Sequence, residues 1–579
     1  MDKRFFFALL LTGTVVIVTP LLFPRGDVPA PVTQPQVSSP SAAPALGAPT
    51  PTPAATVGET PPVATATAEA APVVAETLSL SNELTSFNFS SRGATFVSAE
   101  LPRYVRLGGG EGTVRLAHGR EPMLKYRLIA GGDTINIDQV DFATVRDTVS
   151  GRPRVSFTGM AGGARVQIEY LLATDNYLSD VSFRAEGLPQ PAFLLIDLPT
   201  GFASQEADTT EDFRHLAYAM KPAKGGAARV DFRKPDPGEV ILQPGPITWA
   251  TAKSKYFLVG VLTPDSAVSP FAEVQVTGAP RVNKVAGRAH GTVIASLPEN
   301  GIRFELYAGP QEWERLVAMG REFKDSNPYG GFASGVVQPF ATIVMRVLLW
   351  MKRTLQIEYG WILVIFGVVI RLAMWPLNSR MMRSSIQMQR IAPTVQAEQN
   401  KHKGDPEKQR AAVMKVYADA GVSPFAALSG CLPMLLPMPI LFALFFVFQN
   451  TIEFRGVSFM WLADISLKDP YYILPLAMGA SMYALSWVGM RNVPPNPQMK
   501  MMSYLMPVIM TVALLNFASG LNLYYAVQNL AALPQQWLIA TERAKVKPAA
   551  VVSGAGERKR QPDGSKRKKQ PDGSERKKR

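Results

Sequence analysis

Trp361-Ile-Leu-Val-Ile-Phe-Gly-Val-Val-Ile370 leads directly into Arg371, and Leu372-Ala-Met-Trp-Pro-Leu377 carries the apolar character on beyond it. At about 1.5 Å per helical residue this run can cross a ~30 Å hydrocarbon layer, with the guanidinium roughly 15 Å deep. Arg cannot escape by losing its proton, and burying it costs from about 2.5 to more than 10 kcal/mol depending on the reference state. Something must hydrate or pair the charge. Snorkelling or a carboxylate on a neighbouring span would serve, yet no later hydrophobic span carries an internal Asp or Glu. The run therefore predicts a wet recess inside a helix bundle.

Working outward, the span at 359–377 is followed by apolar stretches at 428–448, 471–488, 501–517 and 521–540, the last two joined only by Ala518-Ser-Gly520, the length of a tight hairpin. Phe340 to Arg353 is short for a span and ends in Lys352-Arg353, so 338–354 reads as an interfacial helix, with a half-buried soluble helix as the other reading. At the amino end Lys3 and Arg4 precede a hydrophobic stretch to Phe23, predicting an anchor over 1–23; a cleaved signal peptide is the competing reading. Six spans bring both termini to one side. The 378–424 loop carries eight Lys or Arg, whereas 451–470 has two against three acids. The positive-inside rule then places both termini and the 378–424 loop in the cytoplasm and 24–358 outside it.

Residues 24–75, rich in Pro, Ala and Thr, cannot bury a core and predict an extended linker. From 76 to 325 short alternating runs punctuated by Gly, Pro, Asn and Asp predict a β-sandwich, as in Thr85-Ser-Phe-Asn-Phe89, Arg154-Val-Ser-Phe-Thr158, Arg165-Val-Gln-Ile-Glu-Tyr170 and Tyr256-Phe-Leu-Val-Gly-Val-Leu262. No catalytic constellation stands out there. Within the cytoplasmic loop, 379–424, helices at 379–400 and 406–420 around Lys403-Gly-Asp-Pro406 make a helical hairpin; Met381, Met382, Met388 and Met414 suit an adaptable docking surface or packing between the two helices.

The chain has 579 residues, 47% of them hydrophobic, and one cysteine, Cys431, which excludes a disulfide framework. Four scattered histidines show no zinc-hydrolase spacing, and no Gly-x-x-x-x-Gly-Lys-[Ser/Thr] loop exists, so the reading is of a non-enzymatic protein without cofactor or metal. Net charge is +14, but residues 541–579 hold 14 Lys or Arg against 5 acids, and the repeat Gln561-Pro-Asp-Gly-Ser565 recurs at 570–574. Such a basic tail attracts polyanions, whether RNA or anionic lipid headgroups.

Polar groups mark the remaining spans. Pro433, Pro437 and Pro439 crowd the third, where proline frees carbonyls that need neighbours or water. Asn522, Tyr524, Tyr525, Gln528 and Asn529 fall within eight residues of the last, and should line the bundle interior with Arg371 as a hydrated groove; hydrogen bonding between helices with no cavity is the alternative.

The blocks Val369-Ile-Arg-Leu-Ala-Met-Trp-Pro-Leu377, Gly430-Cys-Leu-Pro433 with Met438-Pro-Ile440, Asp469-Pro-Tyr-Tyr-Ile-Leu-Pro475, and Phe517-Ala-Ser-Gly-Leu-Asn-Leu-Tyr-Tyr525 with Gln535-Gln536 resemble, in sequence and order, the YidC family of membrane-protein insertases. Ile247-Thr-Trp-Ala-Thr-Ala-Lys-Ser-Lys-Tyr-Phe257 resembles the periplasmic domain of its Gram-negative branch. The resemblance implies a polytopic α-helical protein of the bacterial inner membrane: six spans, a five-helix insertase core at 359–540, and a periplasmic all-β domain. It also implies that nascent membrane proteins are inserted through a groove with Arg371 as its cation and Tyr525 in its lining. The implied partners are the SecYEG translocon with accessory Sec proteins, the ribosome at the tail and cytoplasmic loops, and the lipid bilayer. Gly367 stands where some relatives have a hydroxyl residue, and Pro437 adds a bend. A transporter or channel for an anionic solute is the alternative function.

Overall fold

Alternation of apolar and polar side chains becomes strand wherever it was read. In the computed structural model, which describes residues 76–264, 268–281, 286–327, 334–420, 438–491 and 497–544, the four quoted runs fall in the strands Ser86–Ser90, Arg152–Ala161, Ala164–Leu172 and Phe257–Leu262. The readings of the anchor at 1–23, the linker at 24–75, Cys431, Pro433, Pro437 and the basic tail from 545 onward lie outside the described residues, as do the side chains of Met381, Met382 and Met388.

Between Thr77 and Pro310 the described strands form three antiparallel sheets of four, nine and six strands. The nine-stranded sheet runs from the edge Ala228–Asp231 through Ile247–Lys253, Phe257–Leu262 and Ile302–Pro310 to the opposite edge Ala143–Val149. Its outer strands alternate, as in Ala164–Leu172, where every second residue is buried. Its centre does not: all six residues of Phe257–Leu262 are buried, so this run, taken from the sequence as alternating, is a continuous apolar stretch covered on both faces. The sheets share one hydrophobic core, where Phe89 packs on Tyr170 with ring centroids 4.4 Å apart and on Phe157 at 6.3 Å. On the other side of the central strands, Phe323 stands edge-on to Trp249 at 5.4 Å, and the Trp249 indole donates to the Arg321 carbonyl at 3.0 Å.

Nine described helices follow in chain order: α1 (Thr209–Arg214), α2 (Trp313–Ala318), α3 (Ser334–Leu355), α4 (Tyr359–Lys401), α5 (Pro406–Asp419), α6 (Met438–Asn450), α7 (Ile473–Gly489), α8 (Pro497–Leu514) and α9 (Ser519–Ala544). Two readings change in detail. The second span and the first helix of the hairpin are one continuous 43-residue helix, α4, which runs through Pro376 and Pro393 instead of breaking after Leu377. Among the described residues only the stretch Tyr359–Arg380 is long and apolar enough to cross a membrane alone; Ile473–Gly489 and Lys500–Leu514 are shorter apolar helices. α5 starts where Pro406 predicted, its amino end capped by the Asp405 carboxylate, which accepts from the Glu407 and Lys408 amides.

The chain divides into two units. One takes the chain up to Ile362 with Ile440–Pro470 and Phe517–Leu521; the other takes Leu363–Pro439, Tyr471–Asn516 and the chain from Asn522. In the first, the 451–470 segment is bonded to residues between the strands, Glu206 and Tyr256, and to the first amide of α2.

Candidate functional site

In the helical unit, residues four apart on a helix share a face, so Gly367, Arg371, Trp375 and Ser379 make one stripe along α4. That stripe meets α9. The helices lie close at Gly367: a Cβ there would lie 3.2 Å from Val527 Cγ1 and 3.5 Å from Tyr524 Cδ2. A side chain there would require Val527 to shift by a few tenths of an ångström. One turn on, Arg371 Nη2 donates to Gln535 Oε1 at 2.9 Å, and Gln535 Nε2 donates to the Trp375 carbonyl and to Ser379 Oγ, both at 2.9 Å. Arg371 is half-buried, and its Nε is buried with no protein partner. Among the described residues no carboxylate reaches it.

The polar residues of α9 split into two stripes. Tyr524, Gln528 and Gln535 sit at i, i+4 and i+11 and face α4: Phe366 packs on Tyr524 at 5.9 Å, and Gln528 Nε2 donates to Tyr524 Oη at 2.8 Å. Asn522, Tyr525, Asn529 and Gln536 sit at i, i+3, i+7 and i+14. Of these, Asn529 Nδ2 donates to Ser481 Oγ of α7 at 3.2 Å, Gln536 lies against Gly489 at the end of α7, and Asn522 Nδ2 donates to the Leu514 carbonyl of α8 at 3.2 Å. Tyr525 Oη and Asn522 Oδ1 are buried without protein partners.

The residues expected to line a groove differ in how their polar atoms are satisfied. Asn529, Gln528 and Tyr524 satisfy one another or a neighbouring helix, while Arg371, Tyr525 and Asn522 keep a buried polar atom open. Buried polar atoms are almost always bonded, so such atoms require water or an incoming group. Gln535, the sole described protein partner of Arg371, was quoted in a motif but not singled out as a site residue. Its signal was a polar amide in an apolar helix, eleven residues after Tyr524.

The outer faces of these helices carry the opposite chemistry. Ile365, Val368, Val369 and Leu372 are exposed at i, i+3, i+4 and i+7 on α4, and Leu476, Tyr483, Trp487, Leu505, Val508 and Val512 are exposed on α7 and α8. Apolar surface on that scale marks contact with lipid or another protein.

A second polar cluster lies in the β-sheet unit. Arg455 Nε lies 2.9 Å from both carboxylate oxygens of Glu206, the two side chains being only 4% and 7% exposed, and its guanidinium sits over the Phe257 ring at 5.4 Å. Tyr256 Oη donates to Ser466 Oγ at 3.2 Å, Gln449 Nε2 to Glu211 Oε1 at 2.9 Å, and the Trp313 amide at the start of α2 to Glu453 Oε1 at 3.0 Å. Burial pushes Glu206 above the usual carboxylate range despite Arg455, raises Asp212, and carries Glu453 up to about 7. The same desolvation holds the fully buried Lys253 ammonium, which donates to Asn327 Oδ1, well below its usual range, and takes His215 down to about 3. Lys253, Tyr256 and Phe257 belong to the stretch 247–257 that carried the family resemblance; what the sequence did not disclose is that Tyr256 and Phe257 meet Ser466 and Arg455 of the 451–470 segment.

A cleft of about 420 Å³ opens on the nine-stranded sheet among Arg154, Glu169, Asp180, Arg184 and Arg303. Its charges are largely matched within the sheet, Arg152 to Asp180 at 2.7 Å and Arg154 to Asp147.

Two families match the chain in succession. The family described as YidC periplasmic domain matches residues 77–343, and that described as 60Kd inner membrane protein matches 350–546. The membrane protein insertase YidC of Anaeromyxobacter dehalogenans (strain 2CP-C) is 30% identical over 438 residues, 73% of this chain and 76% of the relative; that of Chlorobaculum tepidum is 26% identical over 521 residues, 85% and 86%. A crystal structure of an active YidC insertase with its first transmembrane domain resolved has 19% identity and a TM-score of 0.32, covering 80% of this chain and 92% of that one. Sheet unit and helical unit together define an inner-membrane protein with a periplasmic domain. The chain belongs to the YidC family of membrane protein insertases.

Proposed function

We propose that this protein inserts nascent membrane proteins through a hydrated recess built around Arg371, with Tyr525 and Asn522 in its wall. The carrying observation is a half-buried guanidinium whose sole described protein partner is a neutral amide; on the α9 stripe that meets α7 and α8, Tyr525 Oη and Asn522 Oδ1 are further buried polar atoms without partners. An uncompensated cation in a low-dielectric setting attracts an acidic or polar segment and lowers its desolvation penalty on the way across. Burial of the client's own hydrophobic helix then supplies the driving force, at roughly 25 cal/mol per Å² of apolar surface. Gln528, Tyr524 and Asn529 act as the frame that holds the wall.

The order of contacts supports the six-span topology. Along α4 and α9 the pairs Gly367 with Tyr524 and Val527, then Arg371 and Trp375 with Gln535, ascend together, so the two helices run parallel. Ser481 with Asn529, then Gly489 with Gln536 and Arg543, make α7 parallel to α9. Spans two, four and six of an alternating chain must share a direction. With 24–358 in the periplasm and the α4–α5 hairpin in the cytoplasm, a reagent that cannot cross the membrane should label a cysteine at Lys403 only from the cytoplasmic side and one at Arg165 only from the periplasm; Arg165 protected from the periplasm would overturn the topology. The basic tail and hairpin suit the ribosome, the apolar outer faces suit lipid, and the translocon with its accessory Sec proteins is the further partner we assign.

The test is reconstitution of the full chain in liposomes, comparing insertion of a small membrane protein bearing an acidic translocated tail with the flux of small anions. Insertion without flux is expected. Flux without insertion would make this an anion transporter.

A further inference from the structure

Arg371 needs to be held without being neutralised, and one residue does this. Gln535 is 2% exposed and sits where α9 passes the turn of α4 that contains Pro376. Proline has no N–H for the Leu372 carbonyl, so this turn lacks one rung of its own ladder. Gln535 ties the same turn from the side: its Nε2 donates to both the Trp375 carbonyl and Ser379 Oγ. With both amide hydrogens committed to α4, the side chain has one orientation left, and Oε1 is turned to accept from Arg371 Nη2. The guanidinium is thereby fixed by a bond to a neutral atom, leaving its full charge and its unbonded Nε for another partner. A carboxylate in this place would hold Arg371 as firmly but cancel the charge, as Glu206 does for Arg455.

We propose that Gln535 is the positioning residue for Arg371 and sets the preference for acidic over neutral client segments. This rests on the reading of Arg371 as the groove cation.

The experiment uses the full chain in proteoliposomes and one single-span client in two forms, its translocated tail carrying Asp or Asn at the same positions. The readout is the ratio of acidic-tail to neutral-tail insertion. Q535M, which keeps the length of the side chain, should lower that ratio about tenfold, the scale of one hydrogen bond to a charged group. Q535E, which retains an acceptor for Arg371 but neutralises it, should lower it as far. The double variant R371A/Q535M should be no worse than R371A, because the two residues act as one unit. Equal loss of acidic and neutral tails in Q535M, or an unchanged ratio in both Gln535 variants while R371A lowers it, would overturn the positioning role and leave the groove standing. An unchanged ratio in R371A would remove the groove reading itself. Protein level and trypsin resistance of each variant identify misfolding, and Q535E serves where Q535M does not accumulate.

Discussion

Arg455 and Arg371 are both guanidiniums taken out of water, and they are treated in opposite ways. Arg455, in the β-sheet unit, is nearly sealed and shares its Nε between the two oxygens of Glu206. Arg371, in the helical unit, is half-buried and meets a neutral amide. Both keep one buried nitrogen without a hydrogen-bond partner, Nη2 in Arg455 and Nε in Arg371, so what separates them is the counter-charge: a guanidinium matched by a buried carboxylate holds structure. One left without a carboxylate is held ready for a partner that arrives and leaves. The same residue type therefore fastens a segment in one unit and, on our proposal, works on clients in the other.

The comparison breaks most visibly under one substitution made at both places. Arg455→Met strands the Glu206 carboxylate in a dry site, and removing one member of a buried pair costs about 3–5 kcal/mol. Thermal unfolding in detergent should show a large loss for Arg455→Met, largely recovered when Glu206→Leu is added. Arg371→Met removes a charge with no counter-ion, and should leave the unfolding temperature level or raise it while insertion of acidic-tail clients falls. Matching losses of stability at the two sites would mean that the arginines do the same job.

A smaller effect belongs to Glu453, which faces the α2 amide with Glu312 and Glu314 nearby. Its carboxyl is raised from the ordinary 4.5 to about 7 by burial. The folded state thus binds the proton more tightly than the unfolded one. Its contribution is fully present below about pH 4.5 and is lost as pH rises through about 7. Glu453→Gln should flatten the fall in unfolding temperature across that window and stabilise the protein at neutral pH. A wild-type profile that rises with pH there would contradict the burial argument.

The smallest expected change is in the tail. Deleting 551–579 should weaken ribosome co-sedimentation in detergent, with a steep salt dependence, and leave unfolding unchanged. Undiminished binding by the truncated chain would assign those cations to lipid headgroups.

How much of this was legible depended on the range of the interaction. Strand alternation is local, and runs such as Arg165 to Tyr170 disclosed their strands without help from the rest of the fold. The charge of Arg371 was legible because it interrupts a continuous apolar run. Its holder was not: Gln535 is 164 residues away, follows Pro534 near the end of a span, and gains its meaning only where α9 lies parallel to α4. The Arg455–Glu206 pair spans 249 residues and joins two ordinary surface-type residues that only the fold buries. The α4 helix was read as two elements, a span to Leu377 and a hairpin helix from Ser379, because the apolar run stops there; bonds from Gln535 to Trp375 and Ser379 across that junction are not written locally.

The most direct measurement is insertion of one client whose translocated tail carries zero, one, two or three Asp residues, by the wild-type chain, Arg371→Lys and Arg371→Ala at equal abundance. If an uncompensated cation receives the tail, wild type and Arg371→Lys should tolerate added acids nearly alike, and Arg371→Ala should lose insertion progressively with each one. Parallel curves for all three proteins across the series would contradict the claim that Arg371 is kept free for the client.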